Sequence, residues 1–275
     1  MIIAVNGGLG NQFFQYAFGR SLEEKYGIRV EYDASALGRK GRRKCGLDLY
    51  NTKWKKCSIF FSNVFRIVIR LKADNLFKVF GERNLFEYDV IRPGDWYIYG
   101  NWQNVNYFKQ IRTLLLQELT YKYTLNNIQD DIKRKIIEGC SIAIHVRRGD
   151  YLLYAEEYYL VEMNYYERAI SYFRNKYENS ILYIFSDDME WCKENFKKYE
   201  ECVFVDREIS DSPYIDFELM RCCKHFIIAN STFSWWASWL SEDKEKEMIA
   251  PELWFKNEYD QKNVKEALLK EYMII

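Results

Sequence analysis

The chain has 275 residues, 48% of them hydrophobic, enough for one large domain or two small ones with a sizeable core. Forty basic residues balance forty acidic ones, which argues against a general nucleic-acid binder. Two histidines exclude a His-rich metal site, and seven cysteines without zinc-type spacing read as reduced thiols in a cytoplasmic setting.

Residues 1–5 run straight into a glycine turn, without the basic and long apolar regions of a secretory signal. Residues 2–5 predict a short buried strand, Asn6-Gly-Gly-Leu-Gly-Asn11 a turn, and residues 12–26 a helix with Phe14, Phe18 and Leu22 at four-residue spacing. Gly27 suits the end of that helix, and a second strand is predicted over 28–32. This is a βαβ opening whose glycine turn puts backbone N–H groups at a helix N-terminus, a favourable place for an anion. It half-matches a dinucleotide fingerprint: Gly8 and Gly10 fit, Phe13 stands where a third glycine is needed, and Asp33 sits where a ribose-binding acid would be. A nicotinamide-dependent oxidoreductase is therefore a competing reading.

The basic stretch Gly38-Arg-Lys-Gly-Arg-Arg-Lys44 reads as a solvated loop, or as a contact for a phosphate, an acidic acceptor or anionic lipid. Residues 59–71 are the most apolar stretch, but too short to span a bilayer and interrupted by Arg66 and Arg70. They read as a helix buried in the protein, with peripheral contact at a membrane interface as the alternative. Small helices are expected elsewhere between 50 and 95. A strand is predicted over 96–99, a turn at Gly100-Asn-Trp-Gln-Asn104, and a helix over 105–118. The polar stretch 120–140, with a helix over 127–138, is the expected boundary between an N-terminal domain of residues 1–140 and a C-terminal domain of residues 141–275.

Beyond residue 140, strands at 142–146, 181–185, 202–205, 226–229 and 248–250 alternate with helices at 165–177, 189–199 and 214–223, one running to Leu240, and one at 261–272. That alternation predicts a parallel, doubly wound α/β sheet. Ligands of such sheets sit at the carboxyl ends of the strands. Three clusters fall there. Arg147 and Arg148 follow the 142–146 strand, and their guanidinium forks suit a pyrophosphate leaving group. Asn230-Ser-Thr-Phe-Ser234 joins a strand to a helix start, where Ser231 and Thr232 serve either as caps or as phosphate donors. Asp187 and Asp188 could hold a divalent cation, meet ribose or a base edge, or cap the helix beginning at Met189. His145 lies between strand and arginines as a ligand contact or a core residue, and His225 reads as structural.

Taken together, Gly7-Gly-Leu-Gly-Asn-Gln-Phe-Phe-Gln-Tyr-Ala17, Gly100-Asn-Trp-Gln-Asn104 with Tyr107-Phe108, His145-Val-Arg-Arg-Gly-Asp-Tyr151, Phe185-Ser-Asp-Asp188 and Ile228-Ala-Asn-Ser-Thr-Phe-Ser-Trp-Trp236 resemble the family 11 glycosyltransferases, the α-1,2-fucosyltransferases. The poorest match is residues 38–95. The resemblance implies two facing Rossmann-like domains of GT-B type, with acceptor recognition in the first and the nucleotide sugar in the second. It implies GDP-β-L-fucose as donor, inversion onto the 2-hydroxyl of a galactose in a glycan acceptor, and no essential metal or resident cofactor. A lipid-linked acceptor at the inner face of a membrane fits the same picture. By the same resemblance, Arg147 and Arg148 face the donor pyrophosphate and His145 lies close to the nucleotide. Asp187 or Asp188 meets guanosine, and Ser231, Thr232 and Ser234 line the phosphate pocket. The turn carrying Gly8, Gly10, Asn11 and Gln12 faces that pocket across the cleft, with Asn11 and Arg148 expected to matter for catalysis. Asp150 is the first candidate for a base that takes the acceptor proton, followed by Glu156 and Glu157, and a structural Asp150 bonded to Arg is the other reading. A transferase of another nucleotide sugar and a sugar- or nucleotide-binding module without turnover remain the alternatives.

Overall fold

The computed structural model describes residues 1–38, 43–70, 79–81 and 97–275. Among these, the chain forms two compact units, Met1–Tyr123 and Thr124–Ile275. The division expected at residue 140 thus falls after a helix that the structure assigns to the second unit. That helix, α4 (Asn127–Glu138), packs on elements of the second unit rather than on those before it.

In the first unit, β1 (Ile2–Ala4) pairs in parallel with β2 (Glu31–Asp33). Helix α1 (Leu9–Tyr26) crosses between them and ends at Gly27, whose left-handed φ of 63° lets its N–H reach the Glu23 carbonyl. The helix starts earlier than expected, so Gly10, Asn11 and Gln12 belong to its first turns and not to the glycine loop. The β2 strand begins three residues later than the apolar run 28–32 suggests. The sheet continues with β3 (Val79–Gly81) and β4 (Tyr97–Tyr99) in the parallel order β2-β1-β4-β3. Helix α1 is buried on most of its circumference through Phe13, Phe14, Phe18 and Leu22. Trp102 stacks on Phe18 with ring centroids 4.3 Å apart, and adopts a positive φ of 55° in doing so. The helix expected over 105–118 is broken into 3₁₀ turns Val105–Tyr107 and Lys109–Ile111, followed by α3 (Arg112–Glu118).

Helix α2 (Ile59–Arg70) departs from expectation. Its Ser62 is buried and bonds Asp33, yet Ile59 is 80%, Phe60 70% and Ile67 58% exposed. An apolar run does not declare which partner covers it, and among the described residues this helix presents an apolar face to the exterior. The central part of the basic 38–44 loop and much of 71–96 lie outside the described residues.

The second unit is a six-stranded parallel sheet of order β10-β9-β8-β5-β6-β7. Its strands are β5 (Cys140–Val146), β6 (Ser180–Ser186), β7 (Cys202–Phe204), β8 (His225–Ile227), β9 (Met248–Ala250) and β10 (Met273–Ile274). The last strand has no counterpart in the sequence reading; two residues at a chain end carry too little pattern to declare a strand. Helices α5 (Met163–Lys176), α6 (Met189–Phe196), α7 (Pro213–Arg221), α8 (Thr232–Leu240) and α9 (Glu258–Ala267) connect the strands. Ile142, Ile144 and Val146 of β5 meet Tyr166, Ile170 and Phe173 of α5 in the core. All seven cysteines are free thiols. The alternation of apolar strands and amphipathic helices thus produced the expected parallel α/β architecture.

Candidate functional site

The central strand β5 lies between β6 and β8, with all three parallel. Their carboxyl ends therefore bring together three chain segments far apart in sequence. His145 is the last inward-facing polar side chain of β5, 5% exposed, and its Nδ1 lies 2.8 Å from Ser234 Oγ in the first turn of α8. Burial, followed by the nearby Arg147 charge, pushes its pKa down to about 3. The imidazole is neutral at physiological pH, and it ties the end of β5 to the start of α8. Tyr166 Oη donates to the His145 carbonyl at 3.2 Å from below.

Beyond Val146 the chain turns and presents the two arginines. Arg147 Nη1 lies 3.0 Å from Asp187 Oδ2, and its Nη2 donates to Asp150 Oδ2 at 2.7 Å. Arg148 donates through its backbone N–H to Asp187 Oδ1 at 2.9 Å and through Nε to Asp188 Oδ2 at 3.2 Å. Its guanidinium carbon stands 4.3 Å from the Trp191 ring centroid. Two cations and three carboxylates thus form one bracket at the sheet's edge, each side chain partly exposed.

Asp188 also caps α6, accepting from the Trp191 N–H at 3.2 Å. The capping role weighed from sequence is present, and the cation reading meets carboxylates already engaged by guanidinium groups. Asp150 is bonded to Arg147, the structural arrangement weighed beside its role as base. Ser231 caps α8 by accepting from the Phe233 N–H at 3.3 Å, and Thr232 is the first residue of that helix. Asn230 Nδ2 donates to the carbonyls of Tyr159 (2.7 Å) and Trp254 (3.1 Å), pinning the loop before α8.

The sequence reading missed Asp216. It lies in the first turn of α7, after β7, at the same carboxyl edge of the sheet. Phe217 beside it packs on Phe233, and Phe233 on His145, at centroid distances of 5.4 and 5.5 Å. Asp216 is 9% exposed, and its Oδ1 is buried with no hydrogen-bond partner among the described residues. Oδ2 lies 3.8 Å from Arg207 Nη1. Burial pushes the carboxyl pKa up to about 6, against the lowering effects of the Ser210 hydroxyl and the Arg207 charge beside it. Such an orphaned buried acceptor is costly unless a ligand supplies donors. Its only sequence signal was an acid on the apolar side of the 214–223 helix.

In the first unit, Gly7 has φ 75°, and a Cβ there would lie 2.8 Å from Asn11 Nδ2. Gly8 precedes α1, and Gly10 is buried inside its first turn. Asn11 Oδ1 accepts from Gln103 Nε2 at 3.0 Å, which joins the first and mid-chain motifs. The Gln12 amide is spent on the backbone: it donates to the carbonyls of Gly7 and Lys44 and accepts from the Gly46 N–H. Gln15 does the same for the Asn6 N–H and the Gly100 carbonyl. Asp33 is 4% exposed inside the core. Burial raises its pKa, but hydrogen bonds from Ser35, Ser62 and Tyr97 outweigh burial and hold the carboxyl below the usual range. An acid enclosed in this way is not presented to a ribose, so the nicotinamide reading loses its second support.

Two units built on parallel α/β sheets are the architecture of glycosyltransferases of GT-B type. Solved fucosyltransferases share the fold. NodZ α-1,6-fucosyltransferase soaked with GDP-fucose superposes with a TM-score of 0.53 at 14% identity, covering 87% of this chain and 91% of that one. POFUT1 in complex with GDP-fucose superposes at 0.51 with 11% identity, covering 90% and 96%. The sequence profile of glycosyl transferase family 11 matches residues 86–275, and the chain belongs to that family. It is 31% identical to an α-1,2-colitosyltransferase of Escherichia coli, over 94% of this chain and 93% of the relative. It is 29% identical to the O-antigen biosynthesis glycosyltransferase WbnK of Escherichia coli, over 93% and 95%. A third relative, galactoside α-(1,2)-fucosyltransferase 2 of Sus scrofa, is 29% identical over 49% of this chain and 42% of its own.

Proposed function

We propose that this glycosyltransferase is an inverting α-1,2-fucosyltransferase that moves L-fucose from GDP-β-L-fucose to the 2-hydroxyl of a galactose in a glycan. The observation that carries the reading is the arginine pair at the carboxyl end of β5, beside the N-terminus of α8. Departure of GDP builds negative charge on the diphosphate. Fixed guanidinium donors and the N–H groups of a helix start meet that charge, and one such donor is worth about a hundred- to a thousandfold in rate. Ser231, Thr232 and Ser234 are assigned to the phosphate pocket, with the neutral His145 holding Ser234 in place. Asp216 suits the guanine edge, because the adjacent N1–H and exocyclic amino group of that base offer the donors that its buried oxygen lacks. Inversion requires the acceptor hydroxyl to attack opposite the leaving diphosphate. Its proton goes to a base for which Asp150, Glu156 and Glu157 remain the candidates. No resident cofactor or metal takes part in this scheme; Asp187 and Asp188 hold arginines instead.

A second reading of the donor rests on the similarity to a colitosyltransferase. The deciding experiment is GDP release from a panel of GDP-sugars, GDP-fucose and a colitosyl donor included, with and without lactose, in excess EDTA. Release only with GDP-fucose and only with the galactoside supports the proposal. Release confined to the colitosyl donor keeps the family and overturns the named sugar, and loss of release in EDTA overturns the metal-free scheme.

The acceptor is proposed to be lipid-linked, on the cytoplasmic side of a membrane. Support comes from the exposed Ile59, Phe60, Phe61 and Ile67 of α2 and the exposed lysines 53, 55 and 56 just before it. No helix among the described residues is long and apolar enough to cross a membrane.

A further inference from the structure

Asp187 stands just past β6, whose pairing of Ser186 with Val146 brings it beside the arginine loop. One of its oxygens accepts the backbone N–H of Arg148 at 2.9 Å, and the other lies 3.0 Å from Arg147 Nη1. Residue 149 completes the arrangement by having no side chain. A Cβ there would stand 2.8 Å from Asp187 Oδ2 and 3.1 Å from its Cγ. Gly149 has a negative φ of −39°, so what it supplies is this close approach and not an unusual backbone conformation. One carboxylate thus engages the side chain of 147, the main chain of 148 and the space over 149.

We infer that Asp187 is a positioning residue of the donor site: it sets Arg147 and Arg148 for the donor pyrophosphate and does not touch the nucleotide base. The inference rests on the proposal above that the donor is a nucleoside diphosphate sugar. Each oxygen of Asp187 is engaged by one donor of the arginine loop, and both donors belong to the residues assigned to the phosphates. Without it, Arg147 keeps Asp150 and the Tyr151 ring, and the loop is tied to the segment after β6 through Arg148 Nε and Asp188. Guanidinium groups displaced by about 1 Å give up much of their charge stabilisation. The assignment also separates Asp187 from Asp216, whose buried oxygen is unpartnered and remains available to a base.

Equilibrium binding of GDP, guanosine and pyrophosphate, followed by NMR titration, tests the assignment on the intact chain and on Asp187→Ala and Asp187→Asn. Binding of GDP and pyrophosphate to Asp187→Ala should weaken about tenfold or more, while guanosine binding stays within about twofold. Asp187→Asn should fall between, because its amide oxygen keeps the Arg148 N–H while its amino group cannot pair with Arg147. An equal loss for guanosine and GDP, or unchanged GDP binding, overturns the inference. Gly149→Ala covers the case in which Asp187→Ala does not fold. It leaves the carboxylate in place but forces it away, and should show the same diphosphate-selective loss; wild-type GDP binding by a folded Gly149→Ala chain overturns the inference as well. ADP, CDP and UDP are titrated beside their nucleosides. A wild-type chain that prefers one of these ends the guanosine reading, while the diphosphate-to-nucleoside comparison on that base still judges Asp187. A wild-type chain that binds no nucleoside diphosphate overturns both.

Discussion

The chemistry of the second unit depends on a few charged groups whose neighbours differ sharply. Arg147 is held between Asp150 and Asp187, whereas Arg148 is held only at its backbone N–H and Nε and lies over Trp191. Among the described residues its two terminal nitrogens make no hydrogen bond, which leaves four N–H donors for a ligand. Arg148→Ala should lower kcat about a hundredfold or more with the melting temperature unchanged within a few degrees; near wild-type turnover would remove Arg148 from the leaving-group site. Asp216 illustrates a different balance. Its pKa is about 6 in the fold against 3.8 for an ordinary aspartate, so the folded chain binds the proton more tightly than the unfolded chain. Its stabilising contribution is complete below the unfolded pKa and is lost as pH rises through about 6. At pH 7.5 the charged, buried carboxylate costs on the order of 3 kcal/mol. Asp216→Asn should therefore melt higher than wild type at pH 7.5, with the gain gone near pH 4. The same variant should bind GDP at least tenfold more weakly. A variant that is neither stabilised nor impaired in GDP binding would show that Asp216 is an ordinary solvated acid.

At the scale of elements, helix α1 is placed by its small and polar residues as much as by its apolar face. Gly19 lies where a Cβ would fall on the Tyr32 hydroxyl and 2.9 Å from Ile3 Cδ1. The close approach of α1 to β1 and β2 depends on it. Gly19→Ala gains intrinsic helix propensity of about 1 kcal/mol but overpacks this contact by about 1–3 kcal/mol, so a net loss of stability is expected in urea titration. A stabilised variant would mean that the contact relaxes freely. The same stretch of α1 is fastened through Arg20, whose buried guanidinium pairs with Glu118 of α3 at 2.9 Å, while Tyr16 Oη donates to the same carboxylate at 2.5 Å. Helix α4 shows how a short motif sets a boundary. Asn126 and Gln129 form a reciprocal capping box, and the helix begins and ends where its sequence pattern does. Over 105–118 the expected helix is replaced by two 3₁₀ turns, the first capped by Asn104, before α3 begins, with Tyr107 and Phe108 buried in the core.

At the scale of the molecule, two parallel α/β units account for the described chain, and α2 is the element whose apolar face they leave uncovered. The membrane proposal makes a direct prediction. The intact chain should co-sediment with vesicles containing anionic lipid, and Phe60→Ser with Ile67→Ser should abolish sedimentation while GDP-fucose turnover on soluble lactose is kept. Equal sedimentation of the double variant would assign α2 another partner. Much of this architecture was legible beforehand. Apolar strands alternating with amphipathic helices dictate a parallel sheet, because only helical crossovers can cover both of its faces. The Arg147-Arg148, Asp187-Asp188 and Asn230–Ser234 stretches fell at strand ends for the same reason, so the sequence by itself determined the fold class and the edge of the sheet that carries the candidate site. Pairing across that edge was decided only by the tertiary structure. Asp187 meets Arg147 and Arg148 because β5 and β6 run side by side in a given register, Gln12 is consumed by Lys44 and Gly46, and Asp216 is left with a buried, unpartnered oxygen. These are contacts between residues distant in sequence. Side-chain period and local propensity report which face of an element is apolar, and only the assembled fold decides what each polar group on that face meets.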